Sequence, residues 1–440
     1  MELGGKHVMV VGLGVTGAAA ARFLASRGAI LSMTDRRTDL DRSKLLIGAM
    51  HLGAEDPAWL RGIDLVVTSP GVPRDSILIR TAIENGIPVI GEIELASRFI
   101  TAPLVAVTGT NGKSTVVVLL GEIMKAAGMR TFVGGNLGTP LVDAVDAEYD
   151  VAVVEVSSFQ LESIDKFRAK VGVHLNLSDD HFDRYRNLED YGRAKARLFE
   201  NQDASDFAIL NRDDLNVWKL AANMRARVIS FGIERGDDTA SLWHEGTAIA
   251  FDLGTRRGKI SLEGFRLSGR HNIANAMAAS ATALALNVDP KKIELALASF
   301  RGLPHRIEIV AEKHGVTYID DSKGTNVGAV VEAIDALAAP IILIAGGLDK
   351  GGDYGPLRRP LSEKVKLAIF NGAARTKMRD ALDGATTIDL VATLHEAVEH
   401  AAQAARAGDT VLLSPACSSF DQFKDYAERG NVYKELVRAL

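Results

Sequence analysis

The sequence predicts an α/β protein of three domains, on three observations. Short apolar strands alternate with alanine-rich helical segments along the chain, the pattern of parallel sheets covered on both faces. The length, 440 residues, exceeds what one hydrophobic core usually supports. Hydrophobic residues make up 47% of the chain, ample for several cores.

The first strand-helix cycle opens at His7 to Val11 and runs to about Ile100, where Thr101-Ala102-Pro103 reads as a connection. A second boundary falls near Arg301-Gly302-Leu303-Pro304, so the expected domains are 1–100, 101–302 and 303–440. Trp243 to Leu267 is richer in glycine and in short alternating runs, and is expected to form a few strands beside the central sheet. The third cycle begins around Thr317 to Ile319 and includes the strands Ile341 to Ala345, Val365 to Phe370 and Thr410 to Leu413. Neither an internal repeat nor a low-complexity tract interrupts this order.

In the first cycle, Gly12-Leu13-Gly14-Val15-Thr16-Gly17 follows a strand and opens an alanine-rich helix, and Asp35 ends the next strand. Glycines at these spacings let a pyrophosphate approach a helix N-terminus while an acid meets a ribose. The same geometry would hold the diphosphate of a nucleotide sugar, with Asp35 and Arg36 meeting its base. Close strand-to-helix packing without a ligand is the plain alternative. Ser69-Pro70-Gly71-Val72-Pro73, after the strand Leu65 to Thr68, forms another loop on the same sheet edge.

The second cycle carries Val105-Ala106-Val107-Thr108-Gly109-Thr110-Asn111-Gly112-Lys113-Ser114-Thr115, a buried strand joined to a phosphate loop and a helix. Gly109 and Gly112 let backbone N–H groups close on phosphate oxygens, Lys113 neutralises their charge, and Ser114 reaches a magnesium ion. The usual spacing would put glycine where this chain has Val107. Glu155 is the only interior charge of the strand Asp150 to Val156, and such a carboxylate is costly unless paired or bound to a cation. Asp179-Asp180-His181 ends another apolar strand, and one histidine among carboxylates and hydroxyls suits magnesium or manganese better than zinc. Lys195 lies in a helical run, Leu188 to Glu200, with Arg193 and Arg197; by composition it belongs to a solvated charged face.

Net charge is −5 with the basic residues dispersed, which argues against a nucleic-acid groove or an anionic membrane surface and for small-molecule substrates. The single cysteine, Cys417, fits a reducing compartment. No secretory signal pattern and no run near 18 apolar residues is present, so a cytoplasmic location without membrane insertion is expected.

The phosphate loop resembles that of the Mur ligases, and the remaining motifs follow in that family's order across the whole chain. They are Glu155-Val156-Ser157-Ser158-Phe159-Gln160-Leu161, Asp180-His181, Ala194-Lys195, His271-Asn272, Leu303-Pro304-His305-Arg306, Asp321-Ser322-Lys323-Gly324-Thr325-Asn326 and Ser414 to Asp421. More narrowly, the opening glycine loop, Ser69 to Val72 and Phe423 to Asn431 resemble the branch that adds D-glutamate to UDP-N-acetylmuramoyl-L-alanine. The Asp-Asn-Pro-Arg motif of the diamino-acid branch is not found in the sequence.

The resemblance implies a Rossmann-like UDP-binding domain, a central ATPase-type phosphate-loop domain and a Rossmann-like C-terminal domain. It implies ATP-dependent amide-bond formation in peptidoglycan precursor synthesis by a monomer, with ATP and two magnesium ions. Gly109, Thr110, Asn111, Gly112, Lys113, Ser114, Thr115, Asn272, Arg306 and Asp321 would meet ATP. Gly14, Val15, Thr16, Gly17, Asp35, Arg36, Ser69, Gly71, Asn136 and His181 would meet the UDP substrate. Lys323, Thr325, Lys350, Ser419 with the Phe420 backbone at the start of the last helix, and Tyr426 would meet D-glutamate. Ser114 and Glu155 would hold one magnesium ion, and His181 and Lys195 the other. Family likeness thus reverses the surface reading of Lys195, making it a carbamate and, with Lys113 and His181, part of the catalytic set. Two other classes stand beside this. A nicotinamide-dependent dehydrogenase leaves the Lys113 loop without purpose, and an ATP-driven switch does not need Lys350 and Ser419.

Overall fold

The computed structural model describes residues 1–38, 40, 48–182, 184–236, 241–267 and 269–440. Three β-sheets, of five, nine and six strands, follow one another along the chain. The first contains β1 (His7–Val11), β2 (Ile30–Asp35), β3 (Ala49–Leu52), β4 (Leu65–Thr68) and β5 (Val89–Gly91) in the parallel order β3-β2-β1-β4-β5. Helices α1 (Val15–Ser26), α2 (Ile77–Glu84) and α3 (Glu92–Ser97) complete this unit. Because the winding reverses between β1 and β4, the loops after them open a crevice at the carboxyl edge. Gly12 holds φ +86°, and a Cβ on Gly17 would stand 1.8 Å from the Gly12 carbonyl oxygen, so both glycines are required for this close turn.

The central sheet is built on β6 (Leu104–Thr108), whose five residues are all buried, as a strand covered on both faces must be. Around it lie β7 (Thr131–Gly135), β8 (Val151–Glu155), β9 (Val171–His174), β10 (Phe207–Asn211) and β11 (Arg227–Gly232), all parallel. Helices α4 (Lys113–Ala126), α5 (Ser158–Leu161), α6 (Leu188–Ala196), α7 (Leu215–Trp218), α8 (Arg270–Ala285) and α9 (Pro290–Ser299) cover it. Ala276, Ala278, Ala279, Ala281 and Ala283 of α8 are fully buried, and their small side chains let it lie close against α4. β12 (Leu242–Glu245), β13 (Ala248–Asp252) and β14 (Arg257–Ser261) extend the same sheet at its edge rather than standing apart from it, giving the order β14-β13-β12-β11-β10-β9-β6-β8-β7. β6 therefore sits between β8 and β9, and the three loops that follow these strands emerge side by side.

The third sheet opens with β15 (Glu308–Lys313), which pairs antiparallel with β16 (Val316–Asp320) across an irregularity between Ile309 and Ala311. The rest, β17 (Ile341–Gly346), β18 (Val365–Asn371), β19 (Thr387–Leu390) and β20 (Thr410–Leu413), is parallel, in the order β15-β16-β20-β17-β18-β19. Helices α10 (Val327–Ala336), α11 (Arg358–Lys364), α12 (Arg375–Leu382), α13 (Leu394–Ala404) and α14 (Tyr426–Ala439) flank it. The α/β alternation expected from the sequence is thus present in all three sheets, while β15 and β19 lie outside the strands read from it. Among the described residues no helix is long and apolar enough to cross a membrane.

Candidate functional site

The loop from Gly109 to Gly112 leaves the carboxyl end of β6 and turns into α4. Gly109 holds φ +152° and Gly112 φ +83°, and a Cβ on Gly112 would stand 2.4 Å from the Asn275 side-chain oxygen. Thr110 N and Asn111 N donate to Asn176, to its carbonyl at 3.0 Å and its Oδ1 at 2.8 Å, which clamps the loop to the end of β9. Gly112 offers no side-chain cap, so the positive end of α4 stays open. Lys113 Nζ curls back onto the carbonyls of Gly109 and Thr110, each at 2.8 Å. Burial lowers its pKa against the pull of Glu155 and Asp180.

Glu155 ends β8 beside this loop. It accepts from Ser114 Oγ at 2.6 Å and from Asn136 Nδ2 at 2.8 Å. Burial would raise its pKa, but Lys113, the two hydrogen bonds and Lys323 outweigh that and hold the carboxylate ionised. On the other side of β6, Asp180 accepts from Lys350 Nζ at 3.1 Å and Asn326 Nδ2 at 3.3 Å, and its pKa is likewise lowered despite burial. His181 adopts φ +56°, uncommon for a residue with a side chain, and packs edge-on against Phe159 at 4.8 Å.

Lys195 is not on a solvated face. It is 1% exposed; its Nζ donates to Gly109 O at 2.8 Å and lies 4.4 Å from the Tyr191 ring centre. Burial, reinforced by Lys113, pushes its pKa far down. The charged residues that made the helix look surface-bound, Arg193 and Arg197, point to Glu189, Asp190 and Glu200 instead.

The third sheet completes the site across the seam. Lys323 Nζ donates to Ser114 Oγ at 2.8 Å, and Asn326 Nδ2 reaches Asn111 Oδ1 at 3.2 Å. Burial, with Arg306 adding like charge, lowers the Lys323 pKa to about 8. Asp321 accepts from Ser414 Oγ at 2.6 Å and is pushed up to about 7 by burial. Nearby, Thr115, Asn272 and Arg306 line a cavity of about 130 Å³ at the seam. Thr115 Oγ1 and Arg306 Nε are buried there without hydrogen-bond partners among the described residues.

Two larger cavities flank this centre. One, about 480 Å³, lies between the second and third units and is lined by Asp180, His181, Asn326, Lys350 and Tyr354. The other, about 630 Å³, occupies the crevice of the first sheet, lined by Gly14, Val15, Thr16, Asp35, Arg36, Ser69, Gly71, Asn136 and Phe159. Asp35 accepts from Leu13 N at 2.7 Å and from Arg37; Arg37 overcomes the effect of burial and brings its pKa to about 2. Arg36 pairs with Glu55 at 3.1 Å.

The sequence-predicted residues therefore gather unevenly. Those named for ATP surround the phosphate loop and the small seam cavity, and those named for the UDP substrate surround the first-sheet crevice, except that Gly17 serves packing behind it and His181 lines the cavity between the second and third units instead. Of the residues named for D-glutamate, Lys350 lines the interdomain cavity, whereas Lys323 and Tyr426 lie together beside Ser114, the Lys323 ammonium 5.3 Å from the Tyr426 ring centre. Thr325 is half-buried in the same turn as Lys323. Ser419 is buried and Phe420 is 69% exposed, and they do not start the last helix: α14 begins at Tyr426 and is capped by Asp425. Sequence reasoning passed over Arg37, Asn176 and Asn326 as site residues, and read Asp180 only as part of the Asp179-Asp180-His181 cluster, without a role of its own. For Asn326 the signal was present, since it stands inside a motif read from the chain.

Three family descriptions match consecutive stretches: "Mur ligase MurD-like, N-terminal domain" over 6–91, "Mur ligase middle domain" over 107–283 and "Mur ligase, glutamate ligase domain" over 305–417. Among solved structures, a pseudomurein peptide ligase type C from Methanothermus fervidus superposes with a TM-score of 0.64 at 21% identity, covering 99% of each chain. A MurF ligase from Thermotoga maritima in complex with ADP gives 0.62 at 17% identity, covering 100% of this chain and 97% of that one. Both likenesses concern the fold. A UDP-N-acetylmuramoylalanine--D-glutamate ligase of Geotalea daltonii is 47% identical over 100% of this chain and 99% of its own length. One of Syntrophotalea carbinolica is 45% identical over the same shares. At that identity over its full length, the chain belongs to the Mur ligase family.

Proposed function

We propose that the protein joins D-glutamate to UDP-N-acetylmuramoyl-L-alanine, converting ATP to ADP and phosphate, in cytoplasmic peptidoglycan precursor synthesis. The observation that carries the substrate assignment is the full-length identity of 41% to 47% to relatives named for that reaction. Working domains of 1–100, 101–302 and 303–440 correspond to binding of the UDP substrate, ATP and D-glutamate.

A carboxylate resists an amine because its carbon is shielded by negative charge. Attack of an L-alanyl carboxylate oxygen on the γ-phosphorus gives an acyl phosphate and ADP. The D-glutamate amine then adds to the acyl carbon, and the tetrahedral intermediate collapses with release of phosphate. Both steps accumulate negative charge, so positioned cations supply most of the acceleration. Lys113 exchanges its two carbonyl contacts for β- and γ-phosphate oxygens, and Lys323 is poised beside them on the Ser114 hydroxyl. Arg306, Asn272 and Thr115 take the rest of the nucleotide, with the orphaned Arg306 and Thr115 atoms gaining partners. Lys350, released from Asp180, meets a D-glutamate carboxylate.

The donor set fits magnesium: Ser114 and Glu155 offer hard oxygens 2.6 Å apart, the carboxylate held ionised. A second ion would be held by His181 and a carbamate on Lys195, whose burial disfavours the ammonium and so favours the neutral amine that captures carbon dioxide. Bound there, the ions supply charge against phosphate and carboxylate oxygens. Phosphate release from ATP, measured with UDP-N-acetylmuramoyl-L-alanine and each candidate amino acid in turn, tests the assignment. Release that depends on D-glutamate supports it; dependence on another amino acid overturns it.

A further inference from the structure

Arg184 belongs to none of the groups above, yet its guanidinium ties the first unit to the second. Nη1 donates to Pro70 O at 2.9 Å and Nη2 to Val72 O at 3.4 Å, both in the loop that walls the first-sheet cavity. Nε and Nη2 also hold Glu162 bidentately, at 3.2 and 2.5 Å, and Tyr185 Oη donates to the same carboxylate at 2.5 Å. The guanidinium carbon lies 4.3 Å from the centre of the Phe159 ring. Its side chain is only 17% exposed.

The placement is informative because Phe159 has two further neighbours. It lines the first-sheet cavity, and its ring meets His181 edge-on. Backbone N–H groups of Arg184 and Tyr185 both donate to His181 O at 3.0 Å, closing the turn in which His181 takes its left-handed conformation. One planar cation thus fixes the wall of the UDP cavity and the ring that touches His181. Arg184 does not itself line that cavity, so it acts on it through the loop from Pro70 to Val72 and through the Phe159 ring. Lysine could pair with Glu162 but lacks the fork needed to serve two carbonyls and a carboxylate at once.

We propose that Arg184 is a positioning residue that couples occupancy of the UDP cavity to the placement of His181, so that the carboxylate to be activated and the groups that meet it are set together. This rests on the function proposed above. The test compares Arg184→Ala and Arg184→Lys with wild type by steady-state kinetics, by calorimetric titration of UDP-N-acetylmuramoyl-L-alanine without ATP, and by thermal unfolding. Both variants are expected to bind the UDP substrate about tenfold or more weakly, with little change in the KM for ATP. Guanidinium ion at millimolar concentration is expected to restore part of the binding to Arg184→Ala. If the alanine variant does not fold, the lysine variant, which retains the Glu162 pair, carries the test. Unchanged UDP-substrate affinity in a folded variant, or equal loss of UDP-substrate and ATP affinity without guanidinium rescue, overturns the proposal. Titration without ATP keeps this outcome separate from the function reading, which fails if wild type releases no phosphate with D-glutamate.

Discussion

Glu92→Gln makes the protein more resistant to unfolding at alkaline pH and leaves it nearly unchanged in mild acid. Glu92 opens α3 at 2% exposure. Its Oε1 accepts from Val142 N at 2.6 Å, and its Oε2 is buried without a hydrogen-bond partner among the described residues. Val142 sits in a single turn, Leu141–Ala144, of the second unit, so the contact joins two units. Burial, followed by Asp143 as a like charge, pushes the carboxyl pKa up to about 7 from 4.5. Because the folded state holds the proton more tightly, stability is full below about 4.5 and is lost as pH rises through about 7. The shift of 7 − 4.5 = 2.5 units corresponds to about 3 kcal/mol in total, of which about 2 to 3 kcal/mol falls between pH 5 and pH 8.5. Glutamine keeps the acceptor for Val142 N and cannot ionise. Urea midpoints of the ligand-free protein, followed by tryptophan fluorescence at the two pH values, read the difference, with Trp59 in the first unit and Trp218 and Trp243 in the second. Other titrating groups cancel between variant and wild type. A gap that stays constant from pH 5 to pH 8.5, or that favours wild type more as pH rises, refutes the reasoning.

Lys195→Ala removes the buried amine beside Gly109 and is expected to be nearly inactive, with partial recovery in small carboxylates that refill an anionic position; full activity without them returns the residue to a packing role. Lys350→Ala removes one charge-assisted contact to a desolvated carboxylate, about 2 to 3 kcal/mol, so the KM for D-glutamate should rise roughly 30-fold to more than 100-fold while that for ATP changes little. An unchanged D-glutamate KM contradicts that assignment. Asp35→Ala should weaken UDP binding, measured by titration, without weakening ATP binding; retained UDP affinity would place the base elsewhere in the crevice.

Local geometry made the two glycine loops readable, because left-handed glycines and a strand-to-helix turn constrain only a few neighbouring residues. Glu155 was legible for a related reason: a lone charge in an apolar strand demands compensation, here Ser114 and Asn136. Lys195 was not. Its helix is short and highly charged, and only the approach of Gly109 from a distant loop shows which face is buried. Lys323 with Ser114 and Lys350 with Asp180 cross the seam between two sheets, and composition holds no record of how sheets meet. Spacing alone also misplaced the beginning of α14, since the turn after Ser419 accepts local hydrogen bonds from Gln422 and Phe423 before Asp425 caps the helix.

The central claim, activation of a carboxylate by phosphoryl transfer followed by capture with D-glutamate, is tested most directly with UDP-N-acetylmuramoyl-L-alanine labelled with oxygen-18 in its terminal carboxylate. The bond that breaks last joins the acyl carbon to an oxygen that began in that carboxylate, so one labelled oxygen must leave with phosphorus. Mass spectrometry of the released phosphate is predicted to show one oxygen-18 per phosphate, in amounts that match the amide formed with D-glutamate. Phosphate without label, or amide formed without labelled phosphate, would contradict it.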